Sequence, residues 1–329
     1  MIPIGVRRWT RHPIWISGEG GDVGIETDKI WLDGELVDYA DATVHVLTHT
    51  LHYGLGAFEG IRCYRQQDGR SAIFRLGDHI RRLIETCKIA TIDAPYDRQD
   101  LEQACLQTVR ANGSGDCYLR PVVFLGHGEM GLSATSNDVR VAVITWPWGA
   151  YLGDEGLEHG IRAKISSFNR HHVNAAMVKG KINGQYVNSI LAKREVMSSG
   201  YDEAIMLNTE GYISEASGEN IFLVRNGTIY TTPLGSSILA GITRRTLLQL
   251  AEDRGYELIA QRFTRDFLYV ADEIFMTGTA AEVTPVREVD DRCIGTGKPG
   301  PITKELQKAY FDTVKGRDND HPEWLTIVE

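Results

Sequence analysis

The sequence predicts an α+β protein with a smaller N-terminal α/β domain and a larger C-terminal domain. Segments with the alternation of a β-strand and segments with the spacing of an amphipathic helix follow each other along the chain, which is typical of mixed helix-and-sheet domains. The 329 residues are 42% hydrophobic and 24% charged, which suits about two domains with hydrophobic cores. A segment rich in Pro, Gly and aromatic residues interrupts the pattern and marks the domain boundary.

The first domain is predicted over residues 29–146, after a glycine-rich extension over residues 1–28 that shows no periodicity. A hairpin is expected at 29–37 because Asp33-Gly34 is a favoured two-residue turn. The residues Ile80, Leu83, Ile84 and Cys87 have helical spacing, and Asp78 stands at a capping position. A second helix is expected at 98–111, and strands are expected at 42–48, 60–66, 72–76, 117–125 and 139–146.

The linker is predicted over residues 147–155, on the basis of the sequence Trp-Pro-Trp-Gly-Ala-Tyr-Leu-Gly at 146–153. Its aromatic residues suggest a ligand site, since pockets tend to form where two domains meet. The second domain is predicted over residues 156–329, with a tight hairpin at Asn226-Gly227. Its helices are expected at 185–199, 242–254 and 302–315, and its strands near 161–166, 203–207, 220–224, 228–231, 257–262 and 273–277.

The composition excludes several classes of protein. A net charge of −9 and a pI of about 5.6 argue against a nucleic-acid partner, because phosphate binding needs a basic face. The five cysteines form no CxxC pair, which indicates a reducing, cytoplasmic compartment. No apolar run approaches the ~20 residues that a membrane helix needs, and the N-terminus does not resemble a signal peptide. We therefore expect a cytoplasmic protein that acts on small molecules, not on membranes.

Three histidines have the spacing of metal ligands on a helix, namely His45, His49 and His52. The surrounding residues 42–48 predict a strand, however, and in a strand these side chains would not converge. The pair His171-His172 is excluded on the same ground, so no metal site is predicted.

Two motifs in the second domain indicate the chemistry. The segments 177–186 (Met-Val-Lys-Gly-Lys-Ile-Asn-Gly-Gln-Tyr) and 211–220 (Gly-Tyr-Ile-Ser-Glu-Ala-Ser-Gly-Glu-Asn) together supply a lysine, a tyrosine and a carboxylate. A lysine amine can form an imine with the aldehyde of pyridoxal phosphate. A carboxylate can keep the pyridine nitrogen protonated, so that the ring withdraws electrons from the substrate. A tyrosine hydroxyl can bind the phenolic oxygen of the cofactor.

These motifs resemble the branched-chain amino acid aminotransferase family, the fold type IV pyridoxal phosphate enzymes. The resemblance covers about residues 30–310 and rests on several motifs in the same order. The family's lysine precedes its tyrosine by five positions. Lys181 lies five residues before Tyr186, whereas Lys179 lies seven before it, so the resemblance implies that Lys181 is the catalytic residue. It further implies that Glu215 binds the pyridine nitrogen and that pyridoxal 5′-phosphate lies between two domains of a D-amino acid aminotransferase-like fold.

The resemblance also implies a phosphate site. Arg82 matches the family's phosphate arginine, and a guanidinium suits a phosphate better than a lysine does, while the neighbouring Arg81 is expected in solvent. Ile242 and Thr243 open a predicted helix whose N–H groups would face an anion. Thr279 is expected to be a further contact.

The substrate pocket that the resemblance implies has aromatic walls, which favour a branched or aliphatic side chain. The backbone of Thr279 and Ala280 would bind the substrate carboxylate. Arg62 and Arg120 would orient that site or reach the second carboxylate of glutamate. Some pocket residues would cross the interface of a homodimer, and assembly into hexamers stays open. The expected pocket residues are Tyr53, Phe58, Gly60, Arg62, Tyr118, Arg120, Trp148, Tyr151 and Ala280.

The implied activity is ping-pong transamination of leucine, isoleucine and valine with 2-oxoglutarate. The same fold type also contains D-amino acid aminotransferases, (R)-selective amine transaminases and aminodeoxychorismate lyases. The pocket residues favour the branched-chain, L-specific group, but the pocket loops decide between these activities. A biosynthetic and a catabolic role both stay open, as does the preferred amino donor.

Overall fold

The computed structural model describes residues 27–113, 115–149, 151–318 and 320–329. The elements before the linker are β1 (Lys29–Leu32), β2 (Glu35–Asp38), α1 (His49–Tyr53), β3 (Gly56–Phe58), β4 (Ile61–Arg65), β5 (Ser71–Phe74), α2 (Leu76–Ile89), α3 (Arg98–Ala111), β6 (Cys117–Leu125) and β7 (Val139–Pro147). Most of the extension predicted over residues 1–28 lies outside the described residues.

The elements after the linker are strands with helices between some of them. They are α4 (Gly153–His159), β8 (Ile161–Ile165), α5 (Tyr186–Met197), β9 (Glu203–Leu207), β10 (Ile213–Ala216), β11 (Asn220–Arg225), β12 (Thr228–Thr231), α6 (Ile242–Glu252), β13 (Leu258–Ala260), α7 (Arg265–Tyr269), β14 (Glu273–Gly278), β15 (Glu282–Val289), β16 (Arg292–Cys293), α8 (Pro301–Val314) and β17 (Leu325–Val328). Short 3₁₀ turns stand at Tyr39–Asp41, Asn183–Gln185 and Pro322–Trp324.

The strands form two sheets. The first has the order β17-β5-β4-β6-β7-β1-β2 with β3 beside β6, and all of its strand pairs are antiparallel. The second has the order β10-β9-β8-β15-β14-β11-β12-β13 with β16 beside β15, and β8 runs parallel to both of its neighbours. The last residues of the chain were predicted to belong to the second domain, whereas β17 pairs with β5 of the first sheet. The domain boundaries themselves stay a prediction.

Local signals explain the elements that the sequence located well. The turn of the first hairpin has positive φ at Asp33 (49°) and Gly34 (104°), as a type I′ turn requires. Helix α3 begins with a capping box in which the Asp97 side chain accepts from the Asp100 backbone and the Asp100 side chain accepts from the Asp97 backbone. The predicted helices at 185–199, 242–254 and 302–315 each match a helix to within two residues at either end.

Two local predictions in the first domain were wrong. Residues 42–48 form no strand, and His49 begins the short helix α1. There the ring of His49 binds the carbonyl of Gly131 at 2.9 Å, and the ring of His52 binds the carbonyl of Val46 at 2.8 Å. Asp78 does not cap helix α2, because it lies inside the first turn and accepts a bond from the Arg75 side chain at 2.7 Å.

The two sheets share one hydrophobic cluster and one buried polar cluster. Tyr64 of β4 packs with Phe222 and Phe275 of the second sheet and with Tyr310 of α8. The Tyr64 hydroxyl donates to Glu282 of β15 at 2.9 Å, and Arg62 of β4 pairs with the same carboxylate at 3.4 Å. Burial raises the pKa of Glu282 even though Arg62 opposes the shift. Among the described residues, no helix is long and apolar enough to cross a bilayer.

We predict that Arg62→Met lowers the free energy of unfolding by roughly 3–5 kcal/mol, because it leaves the Glu282 carboxylate buried without its cation. The double variant Arg62→Met/Glu282→Gln should recover most of the loss, since it removes the unpaired charge. Urea unfolding followed by circular dichroism measures both. Arg65→Met, at an exposed position of the same strand, is the control and should change stability by no more than about 0.5 kcal/mol. Equal losses in the single and double variants would contradict the charge argument.

Candidate active site

A cavity of about 220 Å³ lies between the two sheets and beside the linker. Its lining contains almost every residue that the sequence analysis selected. These residues are Phe58, Gly60, Arg82, Tyr118, Arg120, Trp148, Tyr151, Lys181, Tyr186, Glu215, Ile242, Thr243, Thr279 and Ala280.

Lys181 is fixed in this cavity through its backbone. Its N–H donates to the Thr86 hydroxyl of α2 at 3.1 Å, and its carbonyl accepts from the N–H of Phe58 in β3 at 3.1 Å. The side-chain Nζ donates to the Tyr186 hydroxyl at 2.5 Å and lies 4.7 Å from the centre of the Phe58 ring. Lys179 is exposed and does not line the cavity. The amine that can react with a ligand in the cavity is therefore that of Lys181.

Glu215 is the carboxyl group that faces Lys181 from the second sheet. It is buried on β10 and accepts from the Asn220 side chain at 3.0 Å and from the Leu239 N–H at 3.1 Å. Arg170 forms an ion pair with it at 2.8 Å. Burial raises the pKa of Glu215 to about 7, although Arg170 pulls the pKa down. A cationic ring nitrogen bound beside Glu215 would favour the carboxylate form.

Arg170 was not predicted from the sequence, because a single arginine in a polar segment carries no local signal. Its guanidinium is buried, donates to the Ser189 hydroxyl at 3.3 Å, and keeps one nitrogen, Nε, without a partner among the described residues.

An anion-binding arrangement occupies another side of the cavity. Helix α6 begins after Gly241, so no side chain caps its first N–H groups, and Ile242 and Thr243 line the cavity there. A Cβ atom at Gly241 would lie 1.9 Å from the Asn220 Oδ1 atom, so glycine is required at this position. The Thr277 hydroxyl also lines the cavity and is buried without a partner in the described part of the chain.

Arg82 reaches this arrangement from helix α2. Its Nη1 atom donates to the carbonyl of Ala240 at 3.1 Å, one residue before Gly241. Its neighbour Arg81 is exposed and pairs with Asp78 at 2.7 Å. Helix geometry thus places one of the two arginines at the cavity and the other in solvent.

Aromatic rings form another part of the cavity wall. The ring of Tyr118 lies 5.1 Å from Trp146 and 5.3 Å from Trp148, and Trp148 stacks on Tyr151 at 6.2 Å. Trp146 was not among the predicted site residues. A Cβ atom at Gly60 would lie 1.8 Å from the Tyr118 hydroxyl oxygen, so only glycine allows this ring to stand where it does.

Arg120 lies among these rings. Its guanidinium carbon is 4.8 Å from the centre of the Phe58 ring and 5.4 Å from that of Tyr118. Within the described residues, no carboxylate forms an ion pair with it, and its Nε atom is buried without a hydrogen-bond partner. Ring faces stabilise its charge, and the cation stays available to an anionic ligand.

The structure does not bring Tyr53 and Arg62 into the cavity of their own chain. Tyr53 ends helix α1 with 44% of its surface exposed and borders a separate groove with Met177. Arg62 is buried behind the wall, where it pairs with Glu282 and donates to the carbonyl of Gly149 in the linker at 3.1 Å. The substrate contact predicted for Arg62 is therefore replaced by a link between the two sheets and the linker.

A second carboxyl group lines the cavity at Glu219, which the sequence analysis also missed as a site residue. It is buried and accepts from the Gly218 N–H at 3.1 Å. The nearby Lys193 is already paired with the buried Glu203. Burial and the charge of Glu203 raise the pKa of Glu219 to about 8, so the group is mainly neutral at pH 7.

Comparison with known proteins assigns this site to a family. The model of the amino-transferase class IV family matches residues 56–289. The chain is 53% identical, over 300 residues, to a branched-chain-amino-acid aminotransferase from Pseudomonas aeruginosa; the match covers 91% of this chain and 97% of that protein.

Solved structures agree with this assignment. The T.th. branched-chain amino acid aminotransferase with pyridoxamine 5′-phosphate is 44% identical and superposes with a TM-score of 0.90, over 93% of this chain and all of that one. The same enzyme complexed with N-(5′-phosphopyridoxyl)-L-glutamate gives a TM-score of 0.89 at 44% identity over the same shares of both chains. The fold that the sequence motifs predicted is confirmed. With a family model that spans most of its length and a relative at 53% identity, the chain belongs to the class IV aminotransferase family.

Proposed function

We propose that this protein is a pyridoxal phosphate-dependent aminotransferase that moves the amino group of leucine, isoleucine or valine to 2-oxoglutarate. The observation that carries the proposal is the convergence of Lys181, Tyr186 and Glu215 on one cavity beside an uncapped helix start. The identity of 53% to a branched-chain-amino-acid aminotransferase favours this activity over those of the D-amino acid, (R)-amine and lyase groups.

The residues of the cavity fit the cofactor. An amine, a carboxyl group and a set of anion-binding groups line it. The Thr277 hydroxyl, which has no partner in the described part of the chain, and the first N–H groups of α6, which no side chain caps there, are suited to a phosphate. When bound, pyridoxal phosphate supplies an electron sink for the α carbon of the substrate. The groups that would hold it are Lys181 at the aldehyde carbon, Glu215 at the ring nitrogen, Tyr186 at the phenolic oxygen, and Arg82, Ile242, Thr243 and Thr279 at the phosphate.

Lys181 would have two roles. Its amine would hold the cofactor covalently between turnovers, and the amino group of the substrate would take that position in the first half-reaction. In both half-reactions the free amine would act as the base and acid that moves the proton of the substrate α carbon. Tyr186, whose hydroxyl is 2.5 Å from the amine, would keep Nζ in place for this proton transfer. Glu215 would lie beside the ring nitrogen and stabilise its proton.

The wall residues fit both substrates of such an enzyme. Rings of Phe58, Tyr118 and Trp148 offer an apolar surface to a branched side chain. Arg120 offers a half-buried cation without a carboxylate partner in the described residues, which suits the second carboxylate of 2-oxoglutarate. The T.th. relative was solved with a cofactor adduct of L-glutamate, which supports this assignment. The backbone of Thr279 and Ala280 would bind the carboxylate that both substrates share.

We further propose a cytoplasmic homodimer, and its assembly into hexamers stays open. Leu51 and Val46 are each 66% exposed near Tyr53, and Leu132 is 95% exposed. Contact with a second subunit would cover such apolar side chains and would carry Tyr53 toward the partner's cavity.

The substrate class can be tested by spectroscopy. We expect L-leucine to remove the visible absorbance band of the lysine-bound cofactor in the absence of an acceptor, and 2-oxoglutarate to restore it. D-Alanine and (R)-1-phenylethylamine should leave the band unchanged. If only D-alanine or only (R)-1-phenylethylamine removed the band, the activity would be that of a D-amino acid aminotransferase or an (R)-selective amine transaminase. Pyruvate formation without an acceptor would indicate a lyase.

Lys181→Ala should abolish the visible band and lower turnover by roughly a thousandfold or more, because both the covalent link and the proton carrier are lost. Lys179→Ala is the matched control and should keep both, since its side chain lies outside the cavity. The absorbance spectrum and the rate of 2-oxo acid formation measure the difference. A visible band that persists in Lys181→Ala would overturn the assignment.

The thermal stability of Glu219→Gln should depend on pH in a defined way. The folded pKa of Glu219, about 8, lies above its usual value of 4.5, so the unfolded chain ionises first as pH rises. The wild type therefore loses stability between these two values, whereas glutamine stays neutral. The advantage of Glu219→Gln should grow by at most roughly 4 kcal/mol from about pH 5 to about pH 8 and then stay constant.

Melting temperatures across this pH range test the prediction. Glu85→Gln, at an exposed position of α2, is the control and should show no such trend. A constant difference between Glu219→Gln and the wild type at all pH values would mean that the carboxyl group is not held neutral.

A further inference from the structure

Glu59 is a completely buried carboxylate that does not line the cavity. It lies in the turn between β3 and β4 and receives four hydrogen bonds. Arg82 donates from Nε at 2.6 Å and from Nη2 at 2.9 Å, the His79 Nδ1 atom lies at 2.7 Å, and the Gly60 N–H donates at 3.2 Å. His79 and Arg82 are three positions apart on helix α2, so one helix face holds both donors.

The charges of this cluster balance. Burial opposes ionisation of Glu59, but Arg82 and His79 together hold its pKa well below the usual range. Burial lowers the pKa of His79, so its ring is neutral at pH 7 and donates from Nδ1. The Glu59 carboxylate thus cancels most of the charge of Arg82. Arg82 brings little net positive charge to the cavity.

The same contacts fix the direction of the guanidinium. Two of its nitrogens form a fork on the Glu59 carboxylate, which holds the plane of the group. The third, Nη1, then points to the carbonyl of Ala240 at the start of α6. A guanidinium without the fork would be free to rotate about its long side chain.

We propose that Glu59, itself held by His79, is a positioning residue for the cofactor phosphate: it fixes the Arg82 guanidinium so that its free edge faces the start of helix α6. This inference rests on the proposed function, because it concerns the phosphate of pyridoxal phosphate. In this proposal Arg82 contributes hydrogen bonds of fixed direction to phosphate binding, and little net positive charge.

Glu59→Gln separates orientation from charge. If charge alone mattered, loss of the carboxylate would leave Arg82 uncompensated and would tighten binding of the dianionic phosphate. If orientation matters, the variant should weaken pyridoxal phosphate binding by roughly 10- to 100-fold, because the fork is broken and buried donors lose their acceptor. Pyridoxal, which has no phosphate, should bind the variant and the wild type equally.

The measurement is the ratio of the dissociation constants of pyridoxal and pyridoxal phosphate for the cofactor-free protein, from titrations of the visible band and of tryptophan fluorescence. Circular dichroism checks that each variant is folded. Arg81→Gln, which changes the exposed neighbour of Arg82, is the control and should keep the wild-type ratio. An unchanged ratio or tighter phosphate binding in Glu59→Gln would overturn the proposal.

Two variants of His79 test the same idea without removing the carboxylate. His79→Asn keeps an N–H donor near the position of Nδ1, whereas His79→Leu removes it. We expect His79→Leu to lower the ratio and His79→Asn to restore most of it. Equal ratios in His79→Leu and His79→Asn would exclude a role for the His79 bond. If Glu59→Gln does not fold, these two variants decide whether the cluster positions Arg82. A wild type that never forms the visible band would instead overturn the proposed function.

Discussion

The backbone bond from Phe58 to Lys181 is the contact on which the site depends. It ties the loop with the reactive amine to β3 of the first sheet, and the neighbouring residues Ala57 and Ile182 form an isolated bridge beside it. The second sheet provides Glu215 from the opposite side, so the cavity exists only where the two sheets meet. Because the bond uses backbone atoms, it holds the position of Lys181 while leaving its side chain free to react. A loop held in this way can carry a mobile amine at a fixed place.

Buried ion pairs surround the cavity, and they orient its side chains more than they stabilise the fold. Glu59 pairs with Arg82, Glu215 with Arg170, and Glu282 with Arg62. Each pair carries a desolvation cost that its mutual attraction offsets only when the geometry is good. What these ion pairs contribute is the orientation of side chains, since in each pair the guanidinium holds the carboxylate in place or is held by it. Glu219 differs, because Lys193 is already paired with Glu203, and it stays mainly neutral beside a site meant for anionic substrates.

Local patterns in the sequence predicted the five longest helices, and the family resemblance selected most of the residues that line the cavity. Long-range pairing explains what both missed. Helix α3 has its capping box within a single turn of chain, and the motif spacing selected Lys181 over Lys179. Strand β15 lies between β14 and β8, which come from distant parts of the chain, and no local signal shows that arrangement. Arg170 and Glu59 were missed for the same reason. Each acts through an ion pair with a residue distant in the sequence, Glu215 for Arg170 and Arg82 for Glu59, and no local pattern shows such a pair. Arg62 lies outside the lining of the cavity because it pairs with Glu282 of the other sheet, a contact that no local pattern shows.

The environment of Arg120 suggests how one cavity serves both a branched side chain and an acidic one. Arg120 is half-buried, and its charge becomes costly if an apolar ligand removes its remaining water. The ring centres of Phe58, Tyr118 and Trp146 lie at 4.8, 5.4 and 5.7 Å from the guanidinium carbon and lower that cost. The same ring faces are the apolar surface on which a branched side chain would pack. When an acidic side chain enters instead, its carboxylate would meet a cation that has no competing carboxylate in the described residues. The rings would thus lower the cost of the arginine for an apolar side chain and leave its charge accessible to an acidic one.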